Sequence, residues 1–182
     1  MKLLAALLTA IALVAPGAAT AAPKAPAGPT VVMETTKGTV TIRLRPDLAP
    51  KHVERIKQLV AEKFYDGVPF HRVIAGFMAQ TGDPTGTGEG GSKYPDLPAE
   101  FSRESFKRGV VGMARTSDPN SANSQFFICF APAPWLDGQY TVVGEVTEGM
   151  DVIDQLKKGQ GGGGTVASPD KVKSIRLAGG PG

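Results

Sequence analysis

The residues best suited to chemistry lie between Phe70 and Asp83, where Arg72 and the amide of Gln80 stand among large apolar side chains. This stretch predicts two short strands around a bend at residues 75–76. Because side chains alternate between the faces of a strand, every second residue should point to the same side. The residues expected there are Phe70, Arg72 and Ile74 from the first strand and Met78 and Gln80 from the second. Such a set suits a groove that binds an apolar ring of a ligand and hydrogen-bonds the ligand's backbone beside that ring.

No other arrangement of reactive side chains stands out in the sequence. No Ser-His-Asp or Cys-His set is spaced for nucleophilic attack, and no carboxylates are paired for acid-base work. The chain has two histidines, His52 and His71, and one cysteine, Cys129, so we expect no metal site and no internal disulfide. The apolar run around Cys129 predicts a buried, inert thiol. We interpret His52 as an ordinary surface histidine and His71 as a structural hydrogen-bonding residue.

The composition predicts one globular domain rich in turns and strands. Of the 182 residues, 41% are hydrophobic, which is enough for a real core. The 23 glycines and 15 prolines favour strands and turns over a helical bundle. The formal net charge is +3 and no block of like charges occurs, so we expect no nucleic-acid partner.

The first residues have the pattern of a secretory signal peptide, which we assign to residues 1–21. Lys2 supplies the positive start, residues 3–14 are apolar but too short to span a bilayer as a mature helix, and Ala19-Thr20-Ala21 fits the cleavage pattern. The mature chain would begin with a flexible linker at residues 22–29, followed by a folded domain at residues 30–178. The protein would be secreted across the inner membrane, would be periplasmic in a bacterial host, and would not be held in the membrane after cleavage. A retained membrane anchor is the alternative.

The elements around the central stretch are predicted to be strands and two helices. Residues 49–63 predict a helix with Pro50 in its first turn, an apolar stripe toward the core, and charged residues including Arg55 facing water. Residues 149–157 predict a short second helix. About eight strands in hairpin-like succession suggest an antiparallel barrel, because closure would remove exposed edges. The pattern alone leaves a β-sandwich open.

A glycine-rich loop follows Asp83, and Gly86, Gly88 and Gly91 match the G-x-G-x-x-G pattern of dinucleotide-binding loops. Such a loop must open into a helix whose N-terminus holds the anion. The two prolines in the stretch Tyr94–Pro98 prevent that helix. We therefore reject nucleotide binding here and predict a flexible surface loop.

Three blocks of the sequence, taken in order, resemble the signature of the cyclophilins, the peptidyl-prolyl cis/trans isomerases. The first block, Phe70–Asp83, reads Phe-His-Arg-Val-Ile-x-Gly-Phe-Met-x-Gln-x-Gly-Asp; the others are Ser124–Ile128 and Trp135–Gly138. The resemblance runs from about Val31 to Leu177. It implies a mainly β fold, a closed eight-stranded antiparallel barrel capped by two α-helices. The site would lie on the outer wall, because the interior of the barrel is packed.

The resemblance also implies roles for individual residues. Arg72 takes the place of the catalytic arginine, and Gln80 that of the residue that orients the arginine and helps to hold the substrate backbone. The residues on substrate-binding positions are Phe77, Met78, Ala114, Arg115, Gln125, Phe127, Trp135, Leu136 and Tyr140. Arg115 stands where well-known members carry asparagine and Tyr140 where many carry histidine, and we expect activity to survive both changes. Trp135 stands where a tryptophan favours cyclosporin binding.

Prolyl isomerisation fits a site without nucleophiles, because rotation about an X–Pro amide breaks no covalent bond. The barrier of ~18–20 kcal/mol comes from amide resonance. A donor placed at the prolyl nitrogen would stabilise the twisted amide better than the planar one. We therefore expect a monomeric isomerase without a cofactor that acts on proline-containing exported polypeptides. The alternative is a non-catalytic proline-peptide binding module or holdase chaperone, which would not need Arg72.

Overall fold

The computed structural model describes residues 28–179, so the predicted signal peptide and residues 22–27 of the predicted linker lie outside the described residues. In this range one sheet of eight strands is accompanied by two helices. In chain order the elements are β1 (Thr30–Thr35), β2 (Gly38–Leu44), α1 (Pro50–Ala61), β3 (Arg72–Ile74), β4 (Met78–Thr81), β5 (Val110–Met113), β6 (Phe126–Cys129), a 3-10 turn (Pro134–Leu136), β7 (Val142–Glu148), α2 (Met150–Asp154) and β8 (Val172–Leu177). Neither helix of this range is long and apolar enough to cross a membrane.

The sheet has the strand order β3-β4-β6-β5-β7-β2-β1-β8, and all neighbouring pairs are antiparallel. β1 and β2 form a hairpin in which Thr35 lies opposite Gly38. The mainly β, antiparallel architecture with eight strands and two helices is therefore confirmed. Since the described strands form one sheet and not two, they do not make a sandwich.

The prediction of a fully closed barrel is wrong, because the sheet is open and curled into a half-barrel. β3 and β8 stand at opposite ends of the strand order and do not pair as strands. Just before them, Pro69 and Lys171 make an isolated bridge. Pro69 has no backbone N–H, so a regular ladder cannot run through it. Single hydrogen bonds, such as Phe70 N to Asp170 O at 2.9 Å, join the two ends instead.

The two faces of the sheet carry two separate apolar clusters. On one face, Phe126 and Ile128 of β6 belong to the main core together with the apolar stripe of α1. On the other face, Phe127 and Cys129 of the same strand join Met78 in a second cluster. This alternation follows from the two-residue period of a strand. The second cluster becomes the floor of the site described below.

Helix α1 corrects two predictions about polar side chains. His52 is fully buried and not a surface residue, and Arg55 is buried beneath the ring of Tyr94, 5.1 Å from its centre. The cause is the segment after the glycine loop, which lies over the start of α1. Its Glu100 accepts hydrogen bonds from the backbone N–H groups of Lys51 and His52 and lies 2.7 Å from Nδ1 of His52. A helix start has unpaired N–H groups, and here a distant carboxylate satisfies two of them.

Candidate active site

The β3–β4 hairpin places Arg72 directly opposite Gln80. Nη1 of Arg72 donates to Oε1 of Gln80 at 3.2 Å, and Nε donates to the carbonyl of Gly163 at 3.0 Å. The predicted bend contains Gly76, whose φ of +71° suits glycine. The prediction that Phe70 shares the face of Arg72 is wrong, because Phe70 is packed in the main core. The reason is that β3 begins only at Arg72, so the alternation does not extend back to Phe70.

The guanidinium of Arg72 is held by neutral groups. Both of its acceptors are amide carbonyl oxygens, and no carboxylate between residues 28 and 179 forms an ion pair with it. An arginine has five N–H donors in a rigid fork. Two are committed in this way, so the side chain is oriented while its charge stays uncompensated. Such a donor can still bind an electron pair presented by a ligand.

Gln80 is oriented in turn by Gln125. Nε2 of Gln80 donates to Oε1 of Gln125 at 2.9 Å. Nε2 of Gln125 donates to the carbonyls of Gly88 and Gly90, at 2.9 and 2.8 Å. Arg72, Gln80 and Gln125 thus form one continuous hydrogen-bonded row.

Arg72 stands at the edge of a cleft of about 460 Å³ on the outer face of the sheet. Ten of the eleven residues predicted for the site line this cleft: Arg72, Phe77, Met78, Gln80, Ala114, Arg115, Phe127, Trp135, Leu136 and Tyr140. The eleventh, Gln125, lines a neighbouring cleft of about 420 Å³, which shares Gln80, Gly88, Ala114 and Arg115 with the first. The structure therefore brings the predicted set together in one place.

The cleft has a buried apolar floor and an exposed aromatic rim. Phe127, Met78 and Leu136 are almost fully buried and belong to the second cluster. The ring of Tyr140 meets that of Phe127 edge-on at 5.8 Å. Trp135 is 59% exposed, with its ring 5.6 Å from that of Phe77. A small apolar ring could leave water against this floor while its polar neighbours stay at the rim.

Arg115 and Tyr140, the two departures from the family's common pattern, contact each other. The guanidinium of Arg115 lies over the Tyr140 ring, 4.4 Å from its centre. It also donates twice to the carbonyl of Gln139, from Nε and Nη2, and once to that of Thr116. Arg115 thereby connects the loop after β5 to Gln139, the residue just before Tyr140. A stacked arginine of this kind contributes packing and orientation as well as charge.

The glycine-rich loop borders both clefts and is tightly anchored by Asp83. Oδ1 of this buried carboxylate accepts from the N–H of Thr85 at 2.8 Å, and Oδ2 accepts from that of Gly88 at 2.6 Å. Burial raises the pKa of Asp83, but the hydrogen bonds from Thr85 and Gly88 outweigh it and bring the pKa down to about 2. No helix follows this loop, as predicted. The loop is on the surface, but its backbone is hydrogen-bonded to the negatively charged carboxylate of Asp83.

His71 lines the cleft without the hydrogen bonds that were predicted for it. It is 6% exposed, and neither ring nitrogen has a hydrogen-bond partner among the described residues. Burial lowers the pKa of His71, an effect that the nearby Asp83 carboxylate opposes. Within residues 28–179 no group of three or more His, Cys, Asp or Glu side chains is placed to hold a metal.

The groups at the site that the sequence did not reveal are mostly backbone carbonyls. Gly163 holds Arg72, and Gly88 and Gly90 hold Gln125. A glycine carbonyl carries no side-chain signal, so only the fold could place these acceptors. For Asp83, the spacing Asp-x-Thr was a usable signal, because an Asp side chain often accepts from the N–H two residues on.

Comparison with known proteins agrees with this geometry. The family model described as cyclophilin type peptidyl-prolyl cis-trans isomerase/CLD matches residues 30–177. A probable peptidyl-prolyl cis-trans isomerase of Brucella suis is 58% identical over 155 residues, which cover 79% of each protein. A crystal structure of a cyclophilin type isomerase from Cryptosporidium parvum has a TM-score of 0.77 at 29% identity, over 84% of this chain and 99% of that one. A crystal structure from the same organism in the presence of the dipeptide Ala-Pro has a TM-score of 0.76 at 28% identity, over 83% and 99% of the two chains. This chain belongs to the cyclophilin-type peptidyl-prolyl cis-trans isomerase family.

Proposed function

We propose that this isomerase accelerates rotation about X–Pro bonds in exported polypeptides, with Arg72 as the group that stabilises the transition state. The observation that carries the proposal is the uncompensated guanidinium of Arg72 beside an apolar cleft floored by Phe127. A proline ring bound on that floor would bring its nitrogen close to the arginine.

The chemistry follows from the electronic structure of the amide. In the planar amide the nitrogen lone pair is delocalised, and this resonance produces the barrier of ~18–20 kcal/mol. When the bond twists, the lone pair localises on the nitrogen and becomes a hydrogen-bond acceptor. An N–H of Arg72 therefore binds the twisted state more strongly than the planar one, and this difference accelerates the rotation.

The neutral partners of Arg72 are part of this proposal. A carboxylate partner would compete with the prolyl nitrogen for the guanidinium, because charge-assisted pairs are the stronger hydrogen bonds. The carbonyl of Gly163 and the amide of Gln80 orient the guanidinium in advance without that competition. In other enzymes, one preorganised donor contributes ~2.7–4 kcal/mol to transition-state stabilisation.

We also propose where the protein acts, its oligomeric state and one further ligand. We assign residues 1–21 as a signal peptide, so the mature protein would act as a monomer on polypeptides outside the inner membrane. N-terminal sequencing of exported protein should return Ala22, and a return of Met1 would contradict the assignment.

Trp135 at the rim supports cyclosporin binding. An absence of inhibition by micromolar drug would count against cyclosporin binding but not against isomerisation.

The test of the function is cis/trans exchange of an Ala-Pro peptide, followed by NMR line-broadening with the mature protein. Acceleration of exchange is the expected result. Binding of the peptide without faster exchange would instead identify a binding module, and suppression of client aggregation without exchange would identify a holdase. Either result would overturn the proposal.

Two phenylalanine variants show whether the cleft is the place of reaction. Phe127→Ala removes a floor residue and should weaken peptide binding at least about tenfold, since burial of one large apolar group contributes about 1.5–3 kcal/mol. Phe101→Ala is the matched control, because Phe101 is 43% exposed and lies outside both clefts. Equal loss in both variants would place the reaction elsewhere.

A further inference from the structure

Asp83 makes all of its hydrogen bonds to the loop that follows it. The carboxylate accepts from the N–H and the hydroxyl of Thr85, each at 2.8 Å, and from the N–H of Gly88. Its side chain lines neither cleft. Gly90 packs so closely that a Cβ at this position would lie 2.0 Å from Oδ1 of Asp83. The carboxylate therefore fixes the positions of both Gly88 and Gly90.

The carbonyls of these two glycines determine which way the amide of Gln125 faces. Both N–H bonds of its Nε2 are used, one on Gly88 and one on Gly90. The amide has no further N–H to donate, so its Oε1 must face Gln80. A reversed amide would set an oxygen against two carbonyl oxygens.

The same reasoning fixes Gln80. Facing the Oε1 of Gln125, Gln80 must present its Nε2, and this turns its own Oε1 toward Arg72. Reversal of either amide would break the row at two points. The only other hydrogen bond of the Arg72 guanidinium in the described range is to Gly163. One of its two anchors thus depends on the glycine-rich loop.

We propose that Asp83 is a positioning residue for Arg72, acting through Gly88 and Gly90, Gln125 and Gln80. The inference rests on the proposed function, because it concerns how the catalytic donor is held. Asp83 touches no substrate in this account. Its negative charge organises the loop, the loop orients two amides, and the amides orient the guanidinium without neutralising it.

The first variant is Asp83→Asn, which replaces one acceptor oxygen with an NH₂ group that faces an N–H of Thr85 or Gly88. We expect the exchange rate within the peptide complex to fall roughly tenfold or more, since misplacement of a catalytic group by about 1 Å can cost a factor of 10². The dissociation constant of the peptide should change by less than about threefold, because the apolar floor is untouched.

Gly90→Ala is the second variant, for the case that Asp83→Asn does not fold. The added methyl group must move away from Oδ1 of Asp83, so the loop shifts while the two apolar clusters stay intact. The same fall in exchange rate is expected. Lys93→Ala is the matched loop control, because Lys93 is exposed and lines neither cleft. It should keep the wild-type rate.

A double-mutant cycle separates positioning from general stability. In the background of Gln80→Ala, the row is already cut, so Asp83→Asn or Gly90→Ala should slow exchange no further. Additive effects would overturn the inference, as would a wild-type rate in both loop variants.

The NMR signal of the Arg72 Nε–H group tests the same inference without turnover. It should shift in Asp83→Asn and Gly90→Ala, and it should stay in place in Lys93→Ala. An unchanged signal in both loop variants would overturn the positioning role whatever the activity. If the wild type does not catalyse exchange but the signal shifts, the proposed function fails while the positional link between Asp83 and Arg72 stands.

Discussion

Arg72 and Gln80 lie directly opposite each other across the β3–β4 hairpin, and Nη1 of the arginine donates to Oε1 of the glutamine at 3.2 Å. The cationic guanidinium of Arg72 is therefore held by a neutral amide and not by a carboxylate. The arginine is therefore oriented by the fold and still carries an uncompensated charge at the edge of the apolar cleft.

Gln80→Glu should reduce activity although it strengthens the contact with Arg72. The new carboxylate would form a charge-assisted pair with the guanidinium. It would also face Oε1 of Gln125, which now accepts from Gln80 at 2.9 Å. We expect the exchange rate in the peptide complex to fall by roughly tenfold to hundredfold, on the scale of one lost preorganised donor.

The comparison variant is Gln80→Ala, which removes the anchor but leaves the charge of Arg72 free. Rates from line-shape analysis of an Ala-Pro peptide should rank the glutamate variant below the alanine variant. If the glutamate variant were as active as the wild type, the neutrality of the anchor would have no catalytic value.

Trp135 should report occupation of the cleft. It is the chain's single tryptophan, and its side chain is exposed beside Phe77 at the rim. A proline peptide bound on the floor would cover part of the indole, so its emission should shift to shorter wavelength. Titration with an Ala-Pro peptide tests this, with Phe127→Ala as the variant that should need much more peptide. An emission spectrum that does not change at saturation would place the peptide away from the rim.

Glu100 should contribute strongly to stability. It accepts from the backbone N–H groups of Lys51 and His52 and lies 2.7 Å from the buried Nδ1 of His52. Glu100→Ala would leave these groups unsatisfied. We expect the free energy of unfolding to fall by about 2–3 kcal/mol, the cost of unsatisfied buried donors and a lost helix cap. Urea unfolding measures this, and a change comparable to that of the exposed control Glu54→Ala would contradict it.

The same pair should make stability depend on pH. Burial lowers the pKa of His52 below 6.5, with Glu100 opposing the effect. Below pH 6.5 the unfolded chain therefore takes up a proton more readily than the folded one, and stability falls. For Glu100, burial raises the pKa, but hydrogen bonds from His52 and Lys51 outweigh this and hold it below 4.5. Its contribution is present above pH 4.5 and is lost as the pH falls.

From the pKa shifts of both groups we expect the free energy of unfolding to be highest above pH 6.5 and to fall toward pH 4. Urea unfolding at several pH values should show the decline. Glu100→Gln, which cannot titrate, should flatten its lower part. A stability that rises on acidification would contradict the assignment of His52 as neutral in the folded state.

Cys129 should be unreactive in the native protein. It is fully buried in the second cluster, and burial raises the pKa of its thiol to about 12. The reactive thiolate is therefore scarce at pH 8, and a disulfide reagent cannot reach it. The reagent should label the thiol fully in urea and only slowly without it. Fast labelling of folded protein would show that the cleft floor opens.

Local periodicity accounts for the two faces of β6, but the alternation predicted around β3 failed at Phe70. The alternation along β6 separated Phe127 and Cys129 from Phe126 and Ile128, because a strand has a period of two whatever surrounds it. The three sequence blocks also hold eight of the residues that line the cleft, among them Arg72, Phe127 and Trp135. These features depend on residues close in sequence or on a motif within each block.

Most of the other predictions that failed depended on distant parts of the chain. His52 is buried because Glu100, 48 residues away, covers the start of α1. The sheet stays open where Pro69 meets Lys171, a pairing that no local pattern announces. The acceptors around Arg72 and Gln125 are backbone carbonyls of glycines, whose positions exist only in the folded chain.

The catalytic role of Arg72 is tested most directly by the rate of cis/trans exchange in the peptide complex of Arg72→Ala, compared with the wild type. We expect a folded variant that still binds the Ala-Pro peptide but exchanges it ~10²–10³-fold more slowly, the scale of one preorganised donor. Arg72→Lys keeps the positive charge but not the planar guanidinium, so it should recover only part of the rate. A folded Arg72→Ala that exchanged the peptide at the wild-type rate would contradict the catalytic role of Arg72.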